Sequence, residues 1–290
     1  MSDESKVRKT LRTPSAVLMR LFAFYLAWYF PRHFHAVRIA NGERLKGQSG
    51  PLVVYLNHGS WWDPLACMLL AGRFFADRVH YAPMDANALE RYQMLGKMGM
   101  FPVEQGTRRG AEQFLRASAE ILNTERAMLW VTPQGAFTDA RQRPVVFRKG
   151  LAGVLRRNPG ATAVPLAIEY TFWDERLPEI LIQVGQPKRF EAGMSTGEIE
   201  NSLLSGMVSA QDALASLAMA RSAGAFETVL SGKAGVGIAY DIWRRMVAMV
   251  KGRRYQAEHT VVAESTAKPA VDEGGRFFVK ELKDGGANRR

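Results

Sequence analysis

Six short apolar runs separated by helical patterns limit the fold of this chain more than any other feature. They are Leu52–Leu56, Val79–Ala82, Met100–Glu104, Met128–Val131, Ala161–Tyr170 and Ile180–Val184. Runs of this length, rich in β-branched residues and bounded by Gly or Pro, read as buried strands. Between them, Asp63–Leu70 and Asn87–Leu95 read as helices. Thr107 stands as the N-cap of a longer helix that carries Ala111, Phe114, Leu115, Ser118 and Leu122 at three-and-four spacing. A further helix is expected near Glu198–Ala220. Strands that alternate with helices bury both faces of a sheet, so the expected fold is α/β, with a central mixed β-sheet flanked by helices.

Upstream of the first strand the chain is of another kind. Lys6, Arg8, Lys9 and Arg12 precede Pro14, and an apolar stretch from Ser15 to Phe30 follows, broken by Arg20 and closed by Tyr25, Trp28, Tyr29, Pro31 and Arg32. Bulky aromatics stand where a signal peptide needs small residues. Sixteen helical residues span roughly 24 Å, short of the roughly 30 Å hydrocarbon core. The reading is an amphipathic helix lying in a membrane interface, with Trp and Tyr at headgroup level; a buried core helix and a short or re-entrant span are the alternatives. The domains expected are therefore a basic N-terminus and interface helix over 1–34, a catalytic domain with C-terminal helices over 35–255, and a polar tail over 256–290. Ile238–Val250 is expected to be a helix with a basic end.

Thirty-nine Lys and Arg against 28 Asp and Glu leave a charge of +11, which favours an anionic partner. The basic residues interleave with Trp, Met and Phe at both ends, and no nucleic-acid motif accompanies them. A lipid surface is therefore preferred to nucleic acid. The single cysteine, Cys67, excludes an internal disulfide and a cysteine-based zinc site. His33, His35 and His80 show no ligand spacing with carboxylates, so no metal is expected.

Asn57-His58-Gly59-Ser60-Trp61-Trp62-Asp63 follows the first strand directly, at the carboxyl end where α/β folds gather their sites. A histidine with a carboxylate five residues on makes an oriented general base. The carboxylate holds one ring nitrogen, fixes the tautomer and supports the imidazolium that forms. Ser60 lacks the Gly-x-Ser-x-Gly setting of a nucleophile, and Cys67 reads as packing.

His58 to Asp63 resembles the His-x4-Asp motif of the glycerolipid acyltransferases, the lysophosphatidic-acid acyltransferase-like family. Three further blocks stand in order: Gly99 to Val103, Thr132-Pro133-Gln134-Gly135 where the family has Pro-Glu-Gly-Thr-Arg-Ser, and Val164 to Ile168. The resemblance spans about residues 35 to 190. It implies transfer of a fatty acyl group from acyl-CoA or acyl carrier protein, as donor substrate and without a cofactor, to a hydroxyl of a lysophospholipid-like acceptor. His58 is then the base and Asp63 its support. Asn57, Gln134, Gly135, Arg108, Arg109 and Arg141 are the residues expected to bind substrate, with Arg143, Arg148 and Lys149 as further sources of positive charge. Membrane lipids are the expected partners, on the cytoplasmic face, where basic flanks and acyl donors both point. The sequence carries no signal of oligomeric state. Gln134 in place of Glu, and Ala136-Phe137-Thr138 in place of Thr-Arg-Ser, leave the acceptor open. A glycolipid, a hydroxylated isoprenoid, or an inactive lipid-binding relative are the alternatives.

Overall fold

In a computed structural model the described residues are 11–232. Helix α1 (Ala16–His33) leads into β1 (Ala36–Ala40) and β2 (Leu52–Leu56). Then follow α2 (Asp63–Phe74), β3 (Val79–Asp85), α3 (Ala86–Arg91), α4 (Gln93–Gly96), β4 (Met100–Val103), α5 (Arg108–Leu122) and β5 (Ala127–Val131). The remainder is α6 (Gly150–Arg157), β6 (Thr162–Thr171), β7 (Glu179–Val184), β8 (Lys188–Arg189), α7 (Thr196–Met219) and β9 (Glu227–Ser231). The strands lie in the order β4-β3-β5-β2-β6-β7-β1-β9, and β8 pairs with β6. The run from β4 to β6 is parallel, whereas β7 is antiparallel to β6 and β9 to β1. The fold class is the expected one: a mixed central sheet with helices on both faces.

The period-two pattern of the strands decides what each face buries. Leu52, Val54 and Leu56 of β2 join Val164, Leu166 and Ile168 of β6 beneath α1 and α2. Val53 and Tyr55 face α5, α6 and α7 instead. Both faces of β2 are closed to water, and all five of its residues are buried. The carboxyl ends of β2, β5 and β6 therefore open together at one edge of the sheet.

Several elements differ from the sequence reading. The apolar helix runs through Pro31 to His33, with Ser15 as its N-cap. It is not amphipathic: Leu26 and Phe30 are buried against the protein, while Val17, Leu21, Phe24, Tyr25 and Trp28 are exposed. Between Ala16 and His33 only Arg20 and Arg32 carry full charge, so the outward face is apolar as well. Among the described residues no helix is long and apolar enough to cross a membrane. The expected helix at 87–95 is two short ones, broken at Tyr92, whose ψ is 58°. β1, β9 and α6 were not anticipated. The residues Lys6, Arg8 and Lys9, the helix at Ile238–Val250, the boundary at 255 and the tail over 256–290 lie outside the described residues.

Candidate active site

The turn that follows β2 is held at four points. The β2–β6 ladder ends at Leu56 and Leu166, and the Asn57 side chain then replaces it. Asn57 Oδ1 accepts from the Ile168 N–H at 2.8 Å, and Nδ2 donates to the Ile168 carbonyl at 3.0 Å. Asn57 is wholly buried and its amide is spent on this bridge. It is therefore a positioning residue and not the substrate contact expected, because a turning strand needs its backbone partner replaced. The next residue is clamped by the loop after β5. The His58 N–H donates to Gln134 Oε1 at 2.9 Å, and the His58 carbonyl accepts from the Thr138 N–H at 2.7 Å.

His58 Nδ1 lies 2.7 Å from Asp63 Oδ2. The carboxylate is 1% exposed, the imidazole 20%. Two further donors meet that carboxylate: the Ser60 N–H on Oδ2 at 3.1 Å and the Tyr170 hydroxyl on Oδ1 at 2.6 Å. Asp63 also opens α2, followed by Pro64, so it sits at the positive end of that helix. A buried charge is tolerable when it is compensated in this way. Burial and the Asp63 charge push the Tyr170 phenol far above its ordinary range, so it stays a donor. The carboxylate fixes Nδ1 as the donor, so in the neutral ring Nε2 carries the lone pair. Among the described residues Nε2 has no protein partner, and it is free to take a proton.

Other candidates lie elsewhere or do something else. Gly135 has φ +68°, and a Cβ there would come within 2.4 Å of Arg148 Nε, so glycine is required on two counts. The Arg148 side chain lies across that glycine. Gln134 spends its oxygen on the His58 backbone. Arg108 and Arg109, at the start of α5 behind β4, are exposed and paired with Glu112 and Glu104. Arg141 forms a two-pronged pair with Asp139, which holds that carboxyl down at about 2. Arg108 and Arg109 thus stand apart from the loop after β5, whereas Arg141 lies in it, three residues from the Thr138 that bonds His58. Arg143 is likewise paired, with Asp212. Ser60 Oγ accepts from the Trp62 N–H at 3.3 Å, and burial with the Asp63 charge pushes the Cys67 thiol up. Neither is a nucleophile in this setting.

The sequence reading missed Tyr170 and Phe137. Tyr170 shares the face of β6 with Leu166 and Ile168, a spacing visible in the sequence, but its partner is 107 residues away. The Phe137 ring lies 4.3 Å from the imidazole, centroid to centroid, and is 63% exposed.

No curated protein matches this chain. Among solved structures it is similar to the 1-acyl-sn-glycerophosphate (LPA) acyltransferase PlsC from Thermotoga maritima. The two are 16% identical at a TM-score of 0.47, over 75% of this chain and 84% of that one. Residues 36–169 match the family model described as Acyltransferase. That span opens with β1, closes within β6, and contains His58, Asp63 and the Gln134 loop; over it, a little under half of its length, the chain is similar to the Acyltransferase family.

Proposed function

We propose that this acyltransferase moves a fatty acyl group from a thioester, acyl-CoA or acyl carrier protein, to a hydroxyl of a membrane lipid, with His58 as general base and Asp63 as its orienting carboxylate. The 2.7 Å contact between His58 Nδ1 and Asp63 Oδ2, which leaves Nε2 open, carries the reading. Nε2 removes the proton of the lipid hydroxyl as its oxygen attacks the thioester carbonyl. The C–S bond breaks, an ester forms, and the imidazolium returns the proton to the departing thiolate. Asp63 stabilises the imidazolium between these steps without taking its proton.

The exposed apolar face of α1 supports a membrane as the acceptor's compartment. Val17, Leu21, Phe24, Tyr25 and Trp28 are exposed on it, and Trp62 stacks on Tyr29 while its neighbour Trp61 is exposed beside the catalytic turn. An apolar face with aromatic residues suits the headgroup boundary, and the +11 charge suits the anionic cytoplasmic leaflet.

Direct transfer makes a specific demand. Intact-mass measurement of protein incubated with acyl-CoA, and separately with acyl-carrier protein, should show no acyl adduct. Adding a total lipid extract should then give an acylated lipid from one of these donors. A stable acyl-protein that is chased into lipid contradicts the base mechanism, and the absence of any acylated lipid contradicts the reaction.

A further inference from the structure

We infer that the acceptor presents an uncharged, unphosphorylated carbon surface beside the hydroxyl that is acylated, and that Phe137 selects for it; the inference rests on the acyl-transfer reading above. Phe137 is clamped next to the base: the following residue, Thr138, donates its N–H to the His58 carbonyl at 2.7 Å. The ring contacts the imidazole at 4.3 Å between centroids and is 63% exposed, so it offers an apolar surface to whatever approaches His58. A hydroxyl that reaches Nε2 brings its neighbouring carbons alongside this ring.

A phosphate two or three bonds from that hydroxyl would be desolvated against an aromatic ring and would need a cation to offset the cost. The loop that carries Phe137 offers few. Arg141 and Arg143 are neutralised by Asp139 and Asp212. Across β6, a groove of about 590 Å³ between the 140–143 loop and α7 has the same character, since its third arginine, Arg221, pairs with Asp174. Arg109, behind β4, is held by Glu104. Arg148 and Lys149 are exposed and have no acid partner among the described residues; the Arg148 side chain lies against the Gly135 backbone, so these two are the cations left to a phosphate. Of these groups, the one in contact with the imidazole is the aromatic ring.

The test uses the full-length protein with radiolabelled acyl donor. A total lipid extract is acylated first, and the labelled product is examined for phosphorus by mass spectrometry. Monoacylglycerol and lysophosphatidic acid of the same chain length, which differ only in the phosphate, are then compared as acceptors. The expected results are a product without phosphorus, a kcat/KM at least about tenfold higher for the neutral alcohol, and reversal of that ratio in Phe137→Arg with the donor KM unchanged. Circular dichroism checks that this exposed substitution leaves the fold intact. Phosphorus in the product overturns the inference. So does a preference for lysophosphatidic acid that is lost in Arg148→Ala, which assigns anion recognition to that arginine. A rise in the donor KM alone in Phe137→Arg overturns it too, by placing the ring against the acyl chain. The absence of any acylated lipid defeats the acyl-transfer reading and this inference with it, whereas a phosphorylated product leaves acyl transfer standing.

Discussion

At the scale of single residues, the chemistry depends on how a buried carboxylate is satisfied. Asp63 accepts from His58 Nδ1, the Ser60 N–H and the Tyr170 hydroxyl, so both carboxylate oxygens have donors. Asp63→Asn replaces one acceptor oxygen with a donor. An amide nitrogen in the Oδ2 position opposes the Ser60 N–H and the Nδ1 proton, and the imidazole loses the tautomer that bares Nε2; in either orientation the charge that supports the imidazolium is gone. Turnover is expected to fall on the order of 10³- to 10⁴-fold with the fold retained, measured as kcat beside a thermal melt. Unchanged turnover would remove Asp63 from the mechanism. His58 and Asp63 were legible because their pairing is local, a four-residue turn at a strand end. Tyr170 was not, because sheet register brings it to Asp63 from 107 residues away. Asn57 was misread for the same reason: beside a catalytic histidine a polar side chain looks like a ligand, while its true partner, the Ile168 backbone, is 111 residues off.

At the scale of elements, the strands buried on both faces were the most legible. β2 has the bounds its apolar run gave. β3 is longer than expected because it changes partners midway. Val79 to Tyr81 pair with β5 and Ala82 to Asp85 with β4, so Pro83 has a ladder on one side only. β1 escaped notice because Arg38 interrupts it, and the charge makes sense only once Glu179 on β7 stands opposite. His80 joins β3 to its surroundings: Nε2 donates to the Phe75 carbonyl at 3.1 Å and Nδ1 accepts from the Trp130 indole at 3.2 Å. Burial holds its pKa down to about 4. Below its ordinary value of 6.5 the unfolded chain takes up a proton that folded His80 refuses until about pH 4, so stability is lost as the pH falls through that window. The full effect is about 3 kcal/mol. Chemical denaturation at pH 7 and pH 5 should show the decline, and His80→Gln should flatten it; an equal slope in the variant would acquit His80. Helix α1 makes a different demand. Leu21, Phe24 and Trp28 are exposed, so changing all three to Ser should leave the fold intact yet weaken binding to anionic vesicles on the order of 100-fold or more. Undiminished vesicle sedimentation would mean that α1 is not the membrane contact.

For the whole molecule, the order of strands matters more than any single motif. Placing β5, β2 and β6 side by side and parallel brings the Gln134 loop, the His58 turn and the end of β6 to one edge. Three segments spread over more than a hundred residues thereby become one site. The sequence pattern implied such a sheet, but not which strands would be neighbours, and neighbours decide which loops meet. The same arrangement shows why the +11 charge was a poor guide to the site. The arginines expected to bind substrate are paired with acids on the surface, while an aromatic ring stands next to the base. Net charge describes the molecule's long-range attraction and leaves the local chemistry undetermined.

The claim that all of this supports is that His58 removes the acceptor's proton. Wild type and His58→Ala should be compared for kcat with saturating acyl donor and lipid acceptor, with vesicle binding measured on the same preparations. His58→Ala is expected to lose turnover by on the order of 10²- to 10⁴-fold while binding vesicles as wild type does. Turnover within a few fold of wild type, in a variant that folds and binds vesicles normally, would contradict it.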